Sequence, residues 1–138
     1  MILIDEYLTI RVLGGAWPDG LPDDDLGLTA SRHWRLLQRI HAPAGGQLSQ
    51  RLGVLPVEDL AVVRHPHPEV LQILDPRPLL DDAASLAARY GGGLLIAESL
   101  AAALAHGRTL WFGIDRNVGR VLAYAAADLG ITINVLDA

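Results

Sequence analysis

The stretch from Leu94 to Leu136 constrains the fold most. It reads LLIAESLAAALAHGRTLWFGIDRNVGRVLAYAAADLGITINVL and parses as helix, strand, helix, strand. Leu94–His106 is alanine-rich and predicted helical, with Gly107 as its stop. Thr109–Ile114 is a short apolar run whose Trp-Phe pair suits a buried strand. From Arg116 to Leu129, apolar residues at 118, 121, 122, 125 and 129 mark one helical face, and Gly130 ends it. Ile131–Leu136 is β-branched and alternating, so it is predicted as a strand. Strands alternating with helices favour a parallel sheet with right-handed crossovers. In such sheets ligands collect at the carboxyl ends of the strands. Asp115 lies just past the end of one of them.

Composition narrows the function classes. The chain of 138 residues suits one domain, 1–138, around one core. Its apolar runs are broken by Gly, Glu or Arg before reaching the roughly 18 residues of a membrane span. The N-terminus opens directly into a strand pattern, without a basic n-region or cleavage site, so a cytoplasmic protein with no membrane partner is expected. The absence of Cys excludes disulfides, thiolate-bound zinc and thiol catalysis. A net charge of −5 argues against wrapping nucleic acid with the whole surface. All eleven basic residues are Arg, so no mechanism with a catalytic lysine applies.

The opening segment, Met1–Asp5, is an apolar run ending in an acid. Glu6–Leu13 follows as a short helix stopped by Gly14-Gly15. Asp5 is therefore expected at the carboxyl end of the first strand, on the same sheet edge as Asp115. Ala16–Leu28 carries Pro, Gly and four Asp and is read as a loop, with Asp23-Asp24-Asp25 solvated because three consecutive residues do not face one point. Thr29–His41 is a helix with Thr29 or Ser31 as cap and Trp34, Leu37 and Ile40 as its apolar stripe. Arg32, Arg35 and Arg39 fall on another face, which is solvated or, as an alternative, meets RNA phosphates. Short helical pieces are expected at Gln47–Leu52 and Val57–Val63. The His65-Pro66-His67-Pro68 run reads as an extended loop. A third strand is expected at Val70–Leu74. Leu79–Tyr90 is predicted as a helix with Leu80, Ala83, Ala84, Ala87 and Ala88 inward. Gly91-Gly92-Gly93 lacks the strand before it and the Lys after it that a phosphate loop needs.

Carboxylates crowded at a sheet edge repel unless a cation lies between them. Oxygen ligands of this kind suit Mg²⁺ or Mn²⁺, ions that activate water and stabilise a leaving oxygen in phosphodiester cleavage. The candidate metal-binding and catalytic residues are Asp5, Asp115 and Glu98. Glu98 stands among Leu94, Leu95, Ala101 and Ala102, so it must be paired or face a cleft. Each acid has a structural alternative. Asp115 and Asp5 can cap the helices that follow them, and Glu98 can pair with Arg108 or Arg120.

With those residues in view, the chain resembles the PIN domain of VapC-type toxins from bacterial toxin–antitoxin pairs. MILIDEYLTIRVLGG is similar to that family's opening strand-Asp-helix. The segment from Leu79 onward is similar to its helix, alanine-rich helix ending in Gly, strand with a late acid, and final short strand. The resemblance implies an α/β, three-layer PIN-like fold with a central, mostly parallel sheet of four or five strands flanked by helices. It further implies a Mg²⁺-dependent endoribonuclease, held inactive by an antitoxin protein and commonly a homodimer. Asp5 matches the family's first acid and Asp115 its late acid. Two positions depart from the pattern. The third acid is expected near Ile96, and Glu98 stands two residues later. The helix Thr29–His41, where the family has a Glu, contains no acid.

A receiver domain of a two-component system also starts with a strand ending in acids but needs a Lys, which this chain lacks. A dinucleotide-binding domain needs glycines after the first strand, where Asp5-Glu6-Tyr7 stands. Two expectations of different class follow: a ribonuclease toxin with a reduced acid set, or a catalytically weak or inert PIN-like module that binds an antitoxin or other partner.

Overall fold

A computed structural model describes residues 1–137. Five strands, β1 (Ile2–Ile4), β2 (Leu26–Leu28), β3 (Gln72–Ile73), β4 (Thr109–Phe112) and β5 (Thr132–Val135), form one sheet in the order β3-β2-β1-β4-β5. Every neighbouring pair is parallel. Seven helices flank the sheet in an α/β three-layer arrangement: α1 (Glu6–Leu13), α2 (Ala30–His41), α3 (Gln47–Gly53), α4 (Val57–Arg64), α5 (Leu80–Tyr90), α6 (Leu94–Ala105) and α7 (Arg120–Leu129). None of the described helices is long and apolar enough to cross a membrane.

Strand pleating divides the core in two. Ile2 and Ile4 point to one face with Leu26 and Leu28, where α1 to α4 supply Leu8, Leu36, Leu48, Leu52 and Val63. Leu3, Leu110 and Phe112 point to the other face, where α5 to α7 supply Leu86, Leu100, Leu122 and the buried alanines of α6. Those alanines let α6 lie close to the sheet. The chain runs outward from β1 to β2 and β3 along the first face, then returns across the second to place β4 on the other side of β1. The β1/β4 junction is thus the topological switch point of the sheet. Its carboxyl edge holds Asp5 from β1 and the Gly113–Asn117 segment after β4.

Several predicted elements change on the structure. Leu26–Leu28, expected within a loop, is β2. It is too short for period-two alternation to register, and Gly27 leaves room for Met1 and Leu3 on one side. β4 ends at Phe112, and a 3₁₀ turn over Asp115–Asn117 separates it from α7. In α5 the buried residues are Ala83 and Leu86, while Leu80, Ala84 and Ala88 are exposed. The largest correction concerns α2. Its buried residues are Arg32 and Leu36, and Trp34 is exposed. The helix turns an arginine inward and a tryptophan outward because a buried carboxylate waits for the arginine.

Candidate functional site: a buried charge network at the carboxyl edge of the sheet

Asp5 ends β1 and caps α1. Its Oδ1 accepts hydrogen bonds from the backbone N–H of Leu8 (2.9 Å) and of Gly113 (3.1 Å), and its Oδ2 accepts from Asn117 Nδ2 (2.9 Å). The capping role satisfies an orphan donor of the first turn of α1. The bond to Gly113 ties the end of β1 to the loop after β4. Burial, and next the neighbouring Glu6 charge, push the Asp5 carboxyl up to about 6.

Glu6 is fully buried one residue on. Its Oε1 accepts from Arg32 Nη1 at 2.6 Å, its Oε2 accepts a shorter bond from Arg35 Nη1, and Asn117 Nδ2 reaches Oε2 at 3.3 Å. Burial pushes this carboxyl upward. The Arg32 charge and hydrogen bond, with Arg35 and Asn117, outweigh burial and hold it below its ordinary value. Arg32 is itself sealed in. Its Nε donates to Ser99 Oγ (3.0 Å) on α6, and its guanidinium carbon lies 5.2 Å from the Phe112 ring centroid. Arg35 Nη1 also donates to Asn117 Oδ1 at 2.8 Å. The Glu6 carboxylate therefore meets two guanidiniums, and Asn117 bridges Asp5, Glu6 and Arg35.

Glu98, 2% exposed, takes a third role. Its Oε1 accepts from both Ser31 N (2.8 Å) and Ser31 Oγ (3.0 Å) in the first turn of α2. Thr29 stands at the N-cap position, but its side chain makes no capping bond and its Oγ1 is buried without a partner. Glu98 supplies the anion that this helix terminus favours, from 67 residues away in sequence. It does not pair with Arg108, which donates to the Leu129 carbonyl instead. Asp115 is exposed and opens the 3₁₀ turn, and Gly119 rather than Asp115 caps α7.

Asp5 and the loop bearing Asp115 share one sheet edge, as the strand pattern implied. Among the described residues, however, no three or more His, Asp or Glu side chains gather so as to hold a metal ion. Around Asp5 the acidic oxygens are already engaged within the protein. Asp5 has both oxygens hydrogen-bonded, Glu6 is engaged by two arginines, and the Arg32 guanidinium brings positive charge to this edge. The arginine face proposed for RNA is largely internal. Arg32 is buried, Arg35 is half-buried against Glu6, and Arg39 is half-buried with its Nε sealed and unpartnered.

Sequence reasoning missed Glu6, Ser31, Ser99, Gly113 and Asn117 as members of this network. One signal was available for Arg32: with Leu36 and Ile40 it forms an i, i+4, i+8 row, which competes with the row through Trp34. Nothing local marks Asn117, whose partners Asp5 and Glu6 lie more than a hundred residues away. No protein-family model matches the chain, and no curated protein matches it significantly.

Proposed function

We propose that this chain is a PIN-like domain that acts as a non-catalytic protein-interaction module, binding an antitoxin or another partner protein, rather than as a nuclease. The layout supports the family reading: a strand ending in Asp5, then a helix, and later the alanine-rich α6 closing before Gly107, β4, and the short β5. One observation carries the non-catalytic reading. Glu6, Arg32 and Arg35 form an internal ion-pair cluster at the sheet edge where a nuclease of this kind needs free carboxylates. A buried carboxylate already paired with two guanidiniums is poorly placed to take a metal ion, because the adjacent positive charge disfavours a cation.

A second reading, the Mg²⁺-dependent endoribonuclease of a toxin–antitoxin pair acting as a homodimer on RNA, is favoured by a different observation. Asp5 and Glu98 are both retained as almost completely buried acids on elements next to the charge network. Burying an acid costs free energy, and a metal ion is one way to offset it.

RNA cleavage by the purified chain separates the two. With Mg²⁺ or Mn²⁺, the expected result is no cleavage above an EDTA control, and no difference between the parent chain and Asp5→Asn. Metal-dependent cleavage that disappears in a folded Asp5→Asn variant would overturn the module reading and establish the nuclease.

A further inference from the structure

Beside the charge network, but opening on another side of α2, lies a cavity of about 450 Å³ lined by Ser31, Trp34, Pro76, Leu80, Leu94 and Glu98. Its walls are almost wholly apolar. Three of the side chains are unusually exposed for their type: Trp34 at 61%, Leu94 at 57% and Leu80 at 50%. An apolar lining with a few polar groups is the usual character of a small-molecule site.

The polar content of the cavity is concentrated in one group. Glu98 lines the cavity; its Oε1 is held by Ser31, while its Oε2 accepts no hydrogen bond from any described residue. A buried carboxylate lining an apolar cavity, together with an exposed indole, has a definite chemical complement. The ligand needs a donor with positive charge for the oxygen and an apolar body for the walls. The indole face adds a cation–π contribution for a cation that passes it. Arg35 borders the adjoining smaller hollow, but its charge is matched by Glu6. The volume lies in the range of small-molecule sites, with few polar groups fixing orientation, and exceeds what one basic side chain fills.

We infer that this cavity is a binding site for a small organic cation, a primary ammonium or guanidinium on an apolar body, with Glu98 as its counter-ion and Trp34 as its aromatic wall. The site rests on this cavity and not on Asp5; it shares Glu98 with the nuclease reading.

Calorimetric titration of the full chain with hexylammonium, hexanol, hexanoate and a short arginine-bearing peptide tests it. Hexylammonium is expected to bind about tenfold or more tightly than hexanol, the contribution of a charge-assisted contact, with hexanoate weakest. Glu98→Gln keeps an acceptor for Ser31 and is expected to bring ammonium and alcohol to within about twofold of each other. Trp34→Ala, at an exposed position, is expected to weaken ammonium binding about fivefold or more with an unchanged melting temperature, and it serves as the test should Glu98→Gln not fold. Equal affinity for ammonium and alcohol would overturn the site. So would an absence of ammonium binding at millimolar concentration in folded protein. Binding of the peptide without binding of the free amine would also overturn it, making the cavity a protein-docking pocket instead.

Discussion

Arg32 Nη1 donates to Glu6 Oε1 at 2.6 Å, and both side chains are buried. This pair decides the orientation of α2 and the chemistry of the sheet edge together. A guanidinium that satisfies Glu6 must face inward, so the helix rotates until Trp34 stands outside. Removing one member of such a pair leaves an uncompensated buried charge, at a typical cost of about 3–5 kcal/mol. Arg32→Met is expected to lose roughly that much, because Arg35 is only a partial substitute. The double variant Glu6→Gln/Arg32→Met is expected to recover part of the loss, giving a coupling energy above about 1 kcal/mol in a denaturation cycle. Additive single effects would show that the pair contributes nothing of its own.

Asp5 makes the fold sensitive to pH in the opposite sense from Glu6. Its carboxyl is raised from 3.8 to about 6 by burial and by the Glu6 charge. The folded state therefore holds the Asp5 proton more tightly than the unfolded chain does. This contribution to stability is fully present below the unfolded value and is lost as pH rises through about 6. Between pH 7 and pH 5 the folded state should gain on the order of 1 kcal/mol from this group. Asp5→Asn should remove that gain, so the difference between the two denaturation curves isolates it. At lower pH the depressed Glu6 carboxyl acts the other way: its contribution is present above its unfolded value and is lost as pH falls below it. A parent chain that gains no stability on acidification from pH 7 to pH 5, relative to Asp5→Asn, would contradict the burial argument.

The orientation of α2 gives a comparison that needs no functional assay. Leu36 is completely buried in the core below α2. Leu36→Ala is expected to cost about 2–5 kcal/mol. Trp34→Ala, although it removes a larger side chain, should stay within about 0.5 kcal/mol of the parent because Trp34 is mostly in solvent. The order reverses if the helix packs through its Trp34, Leu37 and Ile40 row.

Much of the architecture was legible because it is written locally. The helix–strand alternation after Leu94, the Gly107 and Gly130 stops, and the strand ending at Asp5 all depend on patterns a few residues long. The parallel edge shared by Asp5 and the loop after β4 follows from that alternation. What was illegible depends on partners distant in sequence. Thr29 has the right identity to cap α2, yet the cap is Glu98 on α6. The arginines of α2 look solvated until Glu6 is known to be sealed beneath them. Periodicity weighs Arg as polar and Trp as apolar, so it assigns the faces of α2 backwards wherever a buried carboxylate outweighs an indole. β2 was missed because three residues carry too little pattern to separate a strand from the Asp-rich loop before it.

Glu98 as a remote cap can be tested through its side-chain chemistry. Its Oε1 takes both bonds from Ser31, and these are the bonds that α2 lacks from Thr29. Glu98→Ala is expected to cost about 1–3 kcal/mol, since a buried backbone donor loses its acceptor and a small void opens in α6 packing. Glu98→Gln keeps an oxygen in place and should cost less, the remainder being the charge–dipole contribution at the helix terminus, typically about 0.3–1 kcal/mol. Comparable losses in both variants would mean that the charge, and not the acceptor, sustains the first turn of α2.

Gly113 sits where the loop after β4 meets α1, and its need for glycine is one of space. Its N–H donates to Asp5 Oδ1 at 3.1 Å, which brings the loop after β4 against the first turn of α1. A Cβ at this position would lie 2.7 Å from Tyr7 Cβ and 3.2 Å from the Leu8 nitrogen. Both atoms belong to the rigid start of α1, so neither can withdraw without moving the helix. Gly113→Ala should therefore destabilise the chain by about 1–3 kcal/mol, the usual range for overpacking. It should also loosen the Asp5–Gly113 bond, exposing the carboxylate and lowering the Asp5 titration back toward its ordinary value. Carboxyl-detected NMR titration of Asp5 in the variant checks both parts. An Asp5 titration left near 6 in a variant of unchanged stability would show that the loop accommodates the extra methyl group and that Gly113 does not set how closely the loop meets α1.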